Sequence, residues 1–123
     1  MSGYCLINNN FTNQTNYTFT PNGGSSLSSG HWVISPQPIG LNATNFLAFQ
    51  AQGTSGTATG AVGVAGYNVI DSNNNFVGTL TLTFSDPYNG DNSASCSTTV
   101  SGLVVNPTIP PDGRTITCTW AAT

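Results

Sequence analysis

Apolar and polar side chains alternate through Phe76-Val77-Gly78-Thr79-Leu80-Thr81-Leu82-Thr83-Phe84, with apolar residues on the even positions and Thr between the later ones. A period of two is that of a β-strand with one face in a core and the other in water. Phe76, Leu80, Leu82 and Phe84 are therefore expected to point inward together. The segment from Thr115 repeats the device: Ile116, Cys118 and Trp120 fall on one side, Thr115, Thr117 and Thr119 on the other. Further strands are expected at 4–8, 15–20, 31–34, 45–50, 61–70 and 95–105, about eight in all. Turn chemistry separates them at Pro21-Asn22-Gly23-Gly24, Asp71-Ser72-Asn73-Asn74-Asn75, Tyr88-Asn89-Gly90-Asp91 and Pro110-Pro111-Asp112-Gly113. The low-complexity runs Ser25 to Gly30 and Gly53 to Gly60 read as mobile loops.

Short strands with one apolar face must close on one another, because a single open sheet would leave that face wet. The expected fold is all-β: a two-sheet antiparallel β-sandwich. A chain of 123 residues has room for one such domain, taken as 1–123.

Charge sharpens this picture. The chain contains no Lys and no Glu, and its charged side chains are Asp71, Asp86, Asp91, Asp112 and Arg114, 4% of residues against a usual ~25%. Ser, Thr, Asn and Gly must supply the hydrated surface. One Arg cannot displace the counterions of a nucleic-acid backbone, so nucleic acid is excluded as a partner. Anionic lipid lacks a polybasic segment to attract it. Any membrane contact would have to use aromatic and neutral hydrogen-bonding groups.

Catalytic and metal chemistry find little material. Asp71, Asn73 and Asn75 match the first oxygen positions of a calcium loop, but Phe76 replaces the sharp-turn Gly and no Glu follows. A hairpin turn is the better reading. His31 is the single histidine, in a Gly-Ser setting without a nucleophile elbow. Four Asp in turns offer no apolar pocket for a glycosidase pair. Cys5, Cys96 and Cys118 lack zinc-ligand spacing, are too few for a disulfide framework, and read as free thiols. No catalytic residue, metal or cofactor is expected. The start of the sequence has no charged region followed by an apolar run, so a cytoplasmic store or non-classical secretion is expected. The sequons beginning at Asn10, Asn13, Asn16 and Asn42 then follow from Asn/Thr richness alone.

Of the aromatic residues beside turns, Tyr88 stands apart. In Ser85-Asp86-Pro87-Tyr88-Asn89-Gly90 the Pro and Gly are expected to hold its ring towards solvent, where a phenol attracts a quaternary ammonium or stacks on a sugar.

The run Thr57-Ala58-Thr59-Gly60-Ala61-Val62-Gly63-Val64-Ala65-Gly66-Tyr67, followed by Asp71 and Leu82-Thr83-Phe84-Ser85-Asp86-Pro87-Tyr88, resembles the central part of the actinoporins. Gly30-His31-Trp32, Pro36-x-Pro38-Ile39 and Asn92 after Pro87-Tyr88 are similar to the aegerolysins. The resemblance implies a cytolysin-like sandwich that recognises sphingolipid or phosphocholine head groups, in some members as part of a pore-forming system with a partner protein. It places the ligand at Val62, Ser85, Pro87 and Tyr88, with Tyr67 and Asp86 beside them. Two departures stand out: no amphipathic N-terminal helix precedes the strand-like Tyr4 to Asn10, and no Tyr follows Tyr88. A glycan-binding lectin and a self-assembling β protein, the latter a homo-oligomer, are the competing readings.

Overall fold

The structure, a computed structural model, describes residues 4–123. Among these, ten strands form and no helix: β1 (Leu6–Asn13), β2 (Thr18–Pro21), β3 (Ser26–Ser29), β4 (His31–Ile34), β5 (Phe46–Gln52), β6 (Ala61–Ile70), β7 (Phe76–Asp86), β8 (Ser93–Thr98), β9 (Val105–Thr108) and β10 (Thr115–Ala122). One sheet runs β4-β5-β1-β10-β9, the other β2-β6-β7-β8 with β3 also on β6. The expected all-β sandwich is present.

The sequence reading needs correction in four places. Ser25 to Gly30 is not a loop: Ser26–Ser29 pairs with the first half of β6, with Leu27 opposite Gly63. Its Ser-rich composition hid a half-buried Leu that carries the inward face. The span 95–105 is two strands, broken by a turn in which Leu103 N donates to Val100 O. Pairing is not wholly antiparallel, because β1 and β10 run parallel from Leu6↔Thr115 to Asn13↔Ala122. Phe76 is not core. The β6–β7 register slips next to Val69, so that Val69 faces Gly78 while Ile70 faces Phe76, and the Phe76 ring is 61% exposed. A bulge adds one residue to a strand and reverses the facing of what lies beyond it.

Elsewhere the alternation holds. Leu80, Leu82, Phe84, Cys118 and Trp120 are fully buried. Aromatic rings tie the sheets together: Phe49 of one meets Phe84 of the other with centroids 5.5 Å apart, and Trp32 closes that group at 6.1 and 6.0 Å. Phe11 and Phe19 do the same at 5.3 Å nearer the other end. The Trp120 indole N–H donates to Asn9 Oδ1 at 3.0 Å, which satisfies a donor that burial would otherwise strand. All three cysteines are free thiols. Cys5 and Cys118 are buried, and Cys118 is pushed up to about 12 by desolvation.

The loops divide between two ends of the sandwich. The first end holds the β5–β6 connection, the 87–92 loop and the 109–114 segment; the second holds the β6–β7 turn and the 99–104 turn.

Candidate functional site

At the first end, β6 and β7 finish side by side, with Ala61 opposite Asp86 and Val62 opposite Ser85. Directly opposed residues of an antiparallel pair share a face. Val62 and Ser85, both half-buried, therefore lie together on the outer face of their sheet, while Asp86 turns inward. Pro87 and Tyr88 follow at once, half-buried.

The structure thus sets Val62 and Ser85 side by side on the outer face with Pro87 and Tyr88 next along the chain, the Tyr88 ring packing partly against the core at the end of the sandwich, and it separates Tyr67 and Asp86 from them. Tyr67 lies five positions along β6 from Val62, an odd interval, so it faces the core. It is fully buried about 17 Å away, opposite Leu80, with its hydroxyl donating to Gln37 O at 3.1 Å. Burial raises its phenol well above the ordinary value. Tyr67 is a core residue and cannot meet a surface ligand. Asp86 is also fully buried, and neither carboxylate oxygen accepts a hydrogen bond among the described residues. Desolvation pushes it up to about 7, against the opposing pull of Arg114. The buried Cys5 thiol is raised too, first by desolvation and then by Asp86.

Tyr88 is not simply held out to solvent. The Arg114 guanidinium carbon sits 3.7 Å from the centroid of its ring, and Arg114 Nε donates to Tyr88 O at 3.2 Å. Asn92, buried, fastens the same two loops: its side-chain amide donates to Pro110 O and Gly113 O, and its backbone N–H to Pro111 O. Gly60 completes the packing. A Cβ there would lie 2.8 Å from both Asp86 O and Pro87 Cα, so only glycine lets the β5–β6 connection approach the loop this closely.

Sequence reasoning missed Arg114, Asn92 and Gly60. Arg114 carries a signal as the sole Lys or Arg, and Gly60 and Asn92 fall within the resemblance motifs without a role assigned to them. Asn92 and Gly60 act on segments far along the chain, which no local pattern reports. The described residues form no enclosed pocket here. The chemistry that reaches solvent here is half-buried: a hydroxyl, a proline, the edge of a phenol and the guanidinium stacked on it.

No known family matches this sequence, and no curated protein does. Among solved structures, the RahU protein in complex with a TRIS molecule superposes with a TM-score of 0.57 at 13% identity, covering 97% of this chain and 93% of RahU. The two chains share a fold. The likeness runs through both sheets, and at this identity it concerns architecture alone.

Proposed function

We propose that the protein binds the zwitterionic head groups of membrane phospholipids, phosphocholine on sphingomyelin included, at the corner made by Val62, Ser85, Pro87 and Tyr88. The observation that carries this reading is the Val62–Ser85 pair on the outer face, running directly into Pro87 and Tyr88 with Arg114 stacked on the ring. These positions match those that the actinoporin and aegerolysin resemblance assigns to the head group.

In this reading Arg114, half-exposed, meets the phosphate, and Ser85 donates to a second phosphate oxygen. The choline end lies along Tyr88 and Pro87 rather than inside an aromatic cage, since a guanidinium already occupies one face of the ring. The neighbour RahU holds TRIS, an ammonium-bearing triol, on a sandwich of the same architecture. That supports small polar ligands on this fold. The protein acts as the membrane-recognising component and performs no chemistry on the lipid.

Co-sedimentation with phosphatidylcholine vesicles, with and without sphingomyelin, tests it. Pelleting that Tyr88→Ala and Arg114→Gln each weaken is expected. Absence of pelleting at micromolar protein overturns it, and selective signal on a glycan array in its place would assign the corner to sugars.

A further inference from the structure

We infer that the protein lies side-on at the lipid surface, with the outer face of the β2-β6-β7-β8 sheet against the head groups and Phe76 as the far anchor. This rests on the head-group reading above and extends it from a corner to a whole face.

The register defines the face. Outward positions pair as Val62↔Ser85, Val64↔Thr83, Gly66↔Thr81, Asn68↔Thr79 and Ile70↔Phe76 along β6 and β7. On β8, Ser93, Ser95 and Ser97 continue the rows of Ser85, Thr83 and Thr81. The outward Val62–Ser85 pair and the exposed Phe76 ring are thus at the two ends of one twisted face, about 30 Å apart along the strands.

Three features of this plane fit an electroneutral lipid surface. First, none of its outward positions is charged. Asp86 turns inward, Asp91, Asp112 and Arg114 sit in end loops, and the Asp71 carboxylate is folded back to accept the backbone N–H groups of Asn73 and Asn75. The face can enter the head-group layer without desolvating an ion.

Second, the hydroxyls of its β7 and β8 rows are unengaged, whereas Ser28 on β3 donates to Val62 O. Thr81, Thr83, Ser85, Ser93, Ser95 and Ser97 make no side-chain hydrogen bond among the described residues. They can donate to lipid phosphate and carbonyl oxygens in rows about 4.8 Å apart.

Third, the fold turns an aromatic ring outward where the alternation would have buried it. Without the bulge beside Val69, Phe76 would belong to the core; with it, the ring is 61% exposed beside Ile70 and next to Val77, itself 41% exposed. Bulges re-aim side chains in this way. The Asn22 to Gly24 connection lies over Gly66 and buries it, so the face is covered at that point of β6 and open along β7 and β8.

The test uses the full chain and phosphatidylcholine–sphingomyelin vesicles. Phe76→Ser is expected to weaken co-sedimentation about tenfold, the loss of one partly inserted phenylalanine, while leaving the thermal midpoint unchanged. Single Trp reporters at Phe76, Thr83 and Val104, read as fluorescence difference from the parent chain, give the orientation. Phe76→Trp and Thr83→Trp should shift to the blue on vesicle addition. Val104→Trp, exposed at the same end but on the β9 side, should not.

Shifts at 76 and 104 without 83 would mean docking on the end of the sandwich, and overturn the inference. So would pelleting in which neither 76 nor 83 responds, with the head-group corner left standing. If the parent chain does not pellet at all, the head-group reading fails first and this one with it.

Discussion

Arg114 holds Tyr88 by both ring and backbone: the guanidinium stacks on the ring at 3.7 Å, and Nε donates to the backbone oxygen of the same residue at 3.2 Å. The side chain therefore holds both the backbone and the ring of a turn that has little regular structure of its own. Arg114→Gln should cost about 1–2 kcal/mol or more in urea unfolding, since it removes a stacked cation and a charged hydrogen bond. Arg114→Lys should recover little of it, because an ammonium lacks the planar fork. Full recovery with Lys would mean that charge alone matters.

The buried carboxylate beneath this pair sets a pH dependence. Asp86 is raised from 3.8 to about 7, mainly by desolvation, with Cys5 and Arg114 as the titratable groups acting on it or feeling it. Below about pH 4 it is protonated in both the folded and the unfolded chain. Between there and about 7 the unfolded chain releases the proton while the folded one keeps it. Stability should therefore fall as pH rises through this window, then level off, by a few kcal/mol in order of magnitude. Urea midpoints from pH 4 to 8 measure this. Asp86→Asn should flatten the slope, and a wild-type curve that rises over the window would sink the assignment.

Two glycines make a paired test of packing. Gly60→Ala places a Cβ 2.8 Å from Asp86 O and Pro87 Cα, both backbone atoms that cannot swing aside, so a loss of about 2 kcal/mol or more is expected. Gly40→Ala meets nothing within 4 Å and should stay within about 0.5 kcal/mol of the parent. Thermal midpoints of the two variants compare them directly.

In the core, Asn9 and Trp120 form a buried polar pair, with Asn9 Nδ2 left without a partner among the described residues. Asn9→Leu removes the acceptor and strands the indole N–H, for a loss of about 1–3 kcal/mol. Adding Trp120→Phe should give back part of that loss, which a double-mutant cycle would read as coupling.

Much of this architecture is legible in the chain. Thr alternating with Leu80, Leu82 and Phe84, and again with Ile116, Cys118 and Trp120, places those side chains correctly because a buried face imposes its period on the sequence. The same rule, applied from Val62, would have put Tyr67 inside, and from Ser85 would have turned Asp86 inward; parity along a strand outweighs proximity in a motif. Phe76 could not be read, since a bulge leaves no mark in composition. The strand at Ser26–Ser29 was equally hidden, because its support comes from β6 rather than from its own residues. Arg114 reaches Tyr88 only once two distant loops are brought together.

The parallel pairing of β1 with β10 has a kinetic consequence. These strands form the middle of their sheet, yet Leu6 and Thr115 are separated by over a hundred residues. The β6–β7–β8 meander, by contrast, is built from neighbours in the chain. Contacts of such different range form on different schedules, because closing a long loop must precede any gain from the strands it joins. The meander is thus placed to organise early, while β1 waits with an unfilled edge until β10 arrives. For that interval an uncharged, Asn-rich strand edge is open to other chains, and refolding yield should fall with protein concentration.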